Sequence, residues 1–317
     1  MLLSEDKVKK HLGGVQTALS WATVEPFMWS AEQEFSRLIG SSLAAYLETS
    51  QADADLKRLA EACCAWQGLV RALPYIKIRI GDMGLMKASP ANTVAITKWE
   101  YIDTVDGASR EYDNYLEAFF ERLEELRPQA WTSSPAYARR RANFIQGSDE
   151  MAVYTALASG RNSRLFDKLV PYISRAELLY IRPALTDAFF SELKTKWRNP
   201  DATWSALETA LLEAIKQAVA PLAYFEALPY MPLLLDHKGV ASLRSKDGTL
   251  EEINPSPDDA NTLRRQLFQD GQLFLGQLKN LLSKAASPTV FTTYYLATLP
   301  APAAEPEDFT DKSLIIL

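Results

Sequence analysis

The sequence predicts a mainly α protein: two tandem copies of a helical-bundle unit, each with a short β-hairpin between its last two helices. Three observations predict it. The tripeptide Leu73-Pro74-Tyr75 returns as Leu228-Pro229-Tyr230. A glycine follows each copy at the same distance, Gly84 and Gly239, and both pairs lie 155 positions apart (230 − 75 and 239 − 84). Most of the remaining chain repeats apolar residues at three- and four-residue steps, the period of an amphipathic helix.

In the first copy, Ser4 ahead of Glu5 and Asp6 starts a helix that Gly13-Gly14 ends. From Val24 to Leu47 one amphipathic stripe runs through Phe27, Met28, Ala31, Phe35, Leu38, Ile39, Leu43, Tyr46 and Leu47, with Gly40 either weakening its middle or allowing another helix close approach. Asp53 or Asp55 caps a second long helix, Leu56 to Leu73, whose wide stripe makes it central and which Pro74 ends. Ile76, Ile78 and Ile80 then alternate with Lys77 and Arg79, the period of a half-buried strand. Gly81-Asp82-Met83-Gly84 is the turn and Leu85-Met86-Lys87 the return strand. Thr93 to Tyr101 adds an extended piece, and Asp106-Gly107 a turn. A third helix carries Tyr112, Leu116, Phe119, Phe120, Leu123 and Leu126.

In the second copy, Phe144-Ile145 before Ser148-Asp149-Glu150 echoes Leu2-Leu3 before Ser4-Glu5-Asp6. Phe166 to Leu193 answers the first long helix, with Ile181 set on Ile39 and Leu185 on Leu43, and Pro183 kinking or splitting it. Asn199-Pro200-Asp201 is a break. A helix from Leu207 to Leu228 bends at Pro221. Leu233-Leu234-Leu235 and Lys238-Gly239-Val240 form the second hairpin. A last helix starts at Pro255 to Asp259, with Phe274, Leu278 and Leu281 falling on Phe119, Leu123 and Leu126. Val290 to Leu296 reads as a strand. The resulting division is 1–130 first repeat, 131–143 linker, 144–286 second repeat and 287–317 an extended Pro/Ala-rich tail with an apolar end.

The chain has 317 residues, 47% hydrophobic and 23% charged, the balance of a globular protein. A net charge of −6 argues against nucleic acid as the main ligand. The tight basic cluster Arg139-Arg140-Arg141 falls in the linker, read first as solvated and second as a contact for an acidic partner. Cys63 and Cys64 are adjacent, poorly placed to bridge each other, and read as small buried apolar residues. Met1 to Gly14 does not resemble a signal peptide, and no apolar run is long enough to span a bilayer, so the expected compartment is the cytoplasm.

Reactive chemistry finds little support. His11 and His237 read as surface residues, and with two adjacent cysteines they complete no zinc pattern. Leu157-Ala158-Ser159-Gly160 lacks the first glycine of a nucleophile elbow and reads as a helix end. There is no Gly-rich phosphate loop. Glu121 with Glu124 and Glu125, and Glu251 with Glu252, read as solvated faces. Trp29, Trp66, Trp99 and Trp131 read as core aromatics ahead of a sugar or peptide groove. No catalytic, metal or cofactor-binding residue is named, and no cofactor is expected.

The repeated Leu-Pro-Tyr, the glycines Gly84 and Gly239 and the Leu- and Phe-containing last helices resemble an uncharacterised duplicated family of Bacteroides-type bacteria and their prophages. Helical units with a short hairpin are also similar to the head–tail connector (adaptor) proteins of tailed phages. The resemblance implies a non-enzymatic structural or assembly protein, cytoplasmic or virion-associated, with protein partners or self-association. The apolar residues Leu314, Ile315, Ile316 and Leu317 are the expected contact, either with their own domain or with a neighbour. The alternative is a helical enzyme or small-ligand binder with its site between the two repeats. A nucleic-acid binder would depend on Arg139, Arg140 and Arg141.

Overall fold

A computed structural model describes residues 2–13, 20–76, 78–81, 84–87, 97–155, 163–230, 242–246, 249–253 and 257–299. The protein is mainly helical, and its helices bury two hydrophobic cores, one per unit.

In the first unit, α1 (Glu5–Leu12) has Ser4 at its N-cap, Glu5 and Asp6 in its first turn, and Gly13 at its C-cap with φ 56°. The long stripe from Val24 is divided. α2 (Trp21–Ile39) and α3 (Ser41–Glu48) meet at Gly40, whose φ of 87° breaks the helix. Ala136 closes on that bend, 3.3 Å from where a Gly40 Cβ would sit. The apolar register survives it, since Phe35, Ile39, Leu43 and Leu47 are all buried.

α4 (Ala54–Ile76) starts at Asp53, whose Oδ1 accepts the Leu56 N–H at 2.9 Å. It does not stop at Pro74. A proline near a helix C-terminus removes one hydrogen bond without ending the element, and α4 continues to Ile76. β1 (Ile78–Gly81) pairs antiparallel with β2 (Gly84–Lys87), Ile78 opposite Lys87.

α5 (Lys98–Leu126) is longer than expected. Thr97 and Glu100 form a capping box, so Lys98 to Tyr101 is helical rather than extended. The helix passes straight through Asp106-Gly107, expected to be a turn, because one glycine costs an interior helix only about 1 kcal/mol.

The stretch 131–143, expected as a linker, belongs largely to the first core. α6 (Gln129–Thr132) and α7 (Pro135–Arg140) bury Trp131, Ala136 and Tyr137 against Phe120 and its neighbours.

The second unit opens with α8 (Ser148–Val153) and α9 (Ser163–Ala176). α9 runs into a π-helical turn, Glu177–Ile181, then α10 (Arg182–Leu185). Thr186, with φ 68° and ψ 151°, breaks the path before α11 (Asp187–Arg198). α12 (Ala206–Ala227) starts on a Ser205–Glu208 capping box and continues through Pro221 as one element. β3 (Ser242–Lys246) pairs antiparallel with β4 (Thr249–Ile253), later than the expected second hairpin, whose residues 233–240 lie outside the described ones. The dipeptide between these strands is Asp247-Gly248, a strong hairpin-turn sequence that the 155-residue register passed over. α13 (Pro257–Ala285) and α14 (Thr292–Thr298) complete the described chain; the expected strand at Val290 to Leu296 is therefore mostly helix.

The two units repeat one packing scheme. α2 packs on α4 and α4 on α5; α9 packs on α12 and α12 on α13; α3 meets α6, and α11 meets α14. The 155-residue register holds between α4 and α12, pairing buried Leu56 with Leu211, Cys63 with Ala218, Cys64 with Val219 and Ala72 with Ala227. It fails elsewhere. Phe27 and Tyr172 are 145 positions apart (172 − 27), as are Pro26 with Pro171 and Glu32 with Glu177. Gly40 and Thr186, the two positive-φ breaks, are 146 apart (186 − 40). The expected pairs Ile39 with Ile181 and Leu43 with Leu185 are thus replaced by Ile39 with Leu185 and Leu43 with Phe189. One residue is gained within the second copy, and the π turn absorbs it, since an i→i+5 bond lets a helix carry an extra residue. The two last helices are both 29 residues long, starting at Lys98 and Pro257. Matching their starts sets buried Leu116, Phe119 and Leu123 on buried Leu275, Leu278 and Leu282. That register replaces the expected Phe119 on Phe274.

The Leu-Pro-Tyr tyrosines have matching roles. Tyr75 stacks on Phe27 at 5.1 Å, and Tyr230 on Tyr172 at 5.9 Å. Each ties the end of a central helix to the helix at the equivalent place.

Candidate functional site

Glu32 and Glu177, at matching places in α2 and the π turn, are buried carboxylates with one task. The Leu3 N–H donates to Glu32 Oε1 at 2.6 Å, and the Phe144 N–H to Glu177 Oε1 at 2.6 Å. Each pins the chain entry of its unit, the Leu2-Leu3 and Phe144-Ile145 pairs whose likeness the sequence shows. Burial raises both carboxyls above the ordinary range, with the backbone bond opposing. Glu177 also holds Lys194 at 2.5 Å, and burial lowers that amine, Glu177 opposing.

The units meet around the former linker. Arg141, buried, donates to the Trp197 carbonyl at 3.0 Å and to Glu124 Oε2 at 2.8 Å. Lys194 Nζ reaches the Ala142 carbonyl at 2.7 Å, and the Trp197 indole N–H the Asn143 carbonyl at 2.9 Å. From α5, Glu117 accepts from the Ser148 N–H at 3.1 Å and from its hydroxyl, and Asp113 accepts from the Ser163 hydroxyl. Gly147 lies close beside this contact: a Cβ there would stand 2.9 Å from Glu117 Oε2 and 3.4 Å from Arg140 Nη2, so a larger residue would displace the carboxylate. These bonds join the two cores through buried polar groups, although Arg141 Nε is left without an acceptor.

Arg139, Arg140 and Arg141 are therefore not a solvated run. Arg140 lies over the Phe120 ring, 3.6 Å from its centroid. Desolvation lowers its pKa, opposed first by Glu117 and then by Glu124, Glu150 and Asp167. Arg139 donates to the Arg37 carbonyl at 3.2 Å. Glu124, expected on a solvated face, accepts from the buried Trp131 indole at 3.3 Å as well as from Arg141.

Beside these arginines is a cavity of about 410 Å³, walled by both units. Leu38, Phe120, Trp131, Phe166 and Val170 supply its apolar wall. Arg37, Arg139 and Arg140 supply its cations, and Glu34 and Asp167 its carboxylates. Glu34 is engaged by Arg71 and by Gln67. Burial raises the Asp167 carboxyl, with Arg140 opposing. Arg37 and Arg139 make no ion pair with a described residue. Arg140 Nε and Gln146 Nε2, both shut off from solvent, lack a hydrogen-bond acceptor.

Other sequence candidates are dispersed. His11 is not a surface residue; its ring is largely covered and Nε2 lies 3.4 Å from Glu61 Oε2. Cys63 and Cys64 are free thiols in the first core, and burial pushes both thiols up, away from reactivity. Trp131 is core, whereas Trp29 is exposed. His237, Leu157 to Gly160 and Leu314 to Leu317 lie outside the described residues. Among the described residues no group of His, Cys, Asp and Glu could hold a metal, and no helix is long and apolar enough to cross a membrane. The junction cavity had a faint sequence signal in the three arginines; the carboxylates that answer them come from helices far apart in the chain.

The model of a protein family described as a family of unknown function (DUF6712) matches residues 32–141 and, a second time, 181–297. No curated protein and no solved structure matches the chain.

Proposed function

The chain belongs to that family, matched twice over more than two thirds of its length, and from this duplication we propose that it is a non-enzymatic structural or assembly protein that associates with protein chains, its own or a partner's. The observation that carries the reading is the junction. Arg141, Glu117, Asp113 and Lys194 join two like helical units into one body, the construction of a scaffold. Exposed apolar side chains add to it: Leu178 and Leu179, neighbours on the π turn, are 52% and 51% exposed. Leu314, Ile315, Ile316 and Leu317 are the proposed contact with a neighbouring chain. The strand pairs between each unit's last two helices are read as part of the repeated unit. A prophage head–tail connector-like component, virion-associated or cytoplasmic, is the finer form of the proposal and rests on resemblance alone.

The test is mass in solution by light scattering, for the full chain, for a chain lacking residues 314–317 and for Leu178→Asp. Assembly beyond the 35.4 kDa monomer, reduced by either change, is the expected result. A monomer at every concentration, indifferent to both changes and to candidate partner proteins, counts against it. A second reading, a small-ligand binder with its site between the repeats, has the junction cavity in its favour.

A further inference from the structure

We propose that the junction cavity binds a small organic carboxylate with an apolar body, held by Arg37 and Arg139 at one side and by the Leu38, Phe120, Phe166 and Val170 wall at the other. The inference rests on the ligand-binding reading and is independent of the assembly reading. Its first support is size: about 410 Å³ lies within the range of roughly 300–1,000 Å³ typical of small-molecule sites.

Its second support is charge. Three arginines and two carboxylates line the cavity. Of those carboxylates, Glu34 is already occupied by Arg71 and Gln67. Arg37 and Arg139 are exposed at the cavity and make no ion pair with a described residue. The Arg139 Nη2 bond to the Arg37 carbonyl holds that side chain against α2. Two guanidiniums at one cavity, without an ion-pair partner among the described residues, suit a carboxylate better than a neutral group.

Its third support is the apolar wall. Leu38, Phe120, Phe166 and Val170 select against a small hydrated anion, which would gain nothing from them.

Isothermal titration of the full-length chain with 4-phenylbutyrate, 4-phenylbutan-1-ol and inorganic phosphate tests the assignment. Saturable binding of the carboxylate is expected, with at least about tenfold weaker binding of the alcohol and of phosphate. Arg139→Gln and Arg37→Gln should each weaken the carboxylate about tenfold while leaving the melting transition in place, because both side chains are exposed. Equal affinity for the alcohol overturns the anion assignment, and equal affinity for phosphate overturns the apolar body. Unchanged binding in both variants overturns the location. A flat response to all three probes overturns the proposal, whereas only a flat response to a chemically mixed fragment set as well would remove the ligand-binding reading.

Discussion

Thr186 occupies a backbone conformation that Gly40 occupies in the other copy. At φ 68° and ψ 151° a side chain with a branched β-carbon is strained by about 1–3 kcal/mol. Its hydroxyl is buried without a hydrogen-bond partner, which adds cost. Thr186→Gly should therefore raise stability by about 1 kcal/mol in urea denaturation, and Gly40→Thr should lower it by more. The paired carboxylates give a graded expectation. Glu177→Ala strands Lys194 and the Phe144 N–H, and should cost about 3–5 kcal/mol, the loss on breaking a buried ion pair. Glu32→Ala strands the Leu3 N–H and should cost about 1–3 kcal/mol. The sign of the pH effect follows from burial. Glu32 is raised in the native state, so that state holds the proton more tightly than the unfolded chain. Stability therefore falls as pH climbs from the ordinary carboxylate value of 4.5 through the raised one. Glu32→Gln should flatten that part of a stability–pH curve.

The π turn is the place where the two copies differ by one residue, and Pro183 explains why it persists. Proline offers no N–H to the Leu179 carbonyl and its ring crowds it, while the Arg182 N–H bonds to the Glu177 carbonyl instead. Deleting Leu179, which is exposed, restores the spacing of the first copy. The variant should keep its helical circular dichroism and lose no more than about 3 kcal/mol. Deleting Ala223 from α12 should abolish folding, because every buried residue after it would rotate by about 100°.

Long helices were legible because Phe27 to Leu47 and Leu56 to Leu73 carry the 3.6-residue period. Breaks and registers were less so. The Pro74 position predicted an end but sits too near the C-terminus to enforce one, and Gly107 was tolerated within a well-capped helix. Composition misplaced the linker, because Pro128, Pro135 and three arginines look solvent-facing until Glu124, Phe120 and the Trp197 carbonyl are brought to them by folding. Beyond the faint signal of the arginines, the junction cavity was illegible for the same reason: its walls come from α2, α5, α6, α7 and α9.

At the scale of the molecule, two cores share one polar seam, so unfolding should be cooperative across it. Arg141 is a buried cation of the seam, bonded to both units. Arg141→Met should split a single denaturation transition into two, seen as a second inflection in tryptophan fluorescence; an unchanged single transition would show that the seam is not what couples the units.

Both cysteines of the chain sit in α4, sealed within the first core, and the other half carries none. A maleimide or disulfide dye added to the native protein can thus attach only when α4 peels away from its neighbours. Its uptake is a clock for breathing on one side alone, and the other side keeps silent.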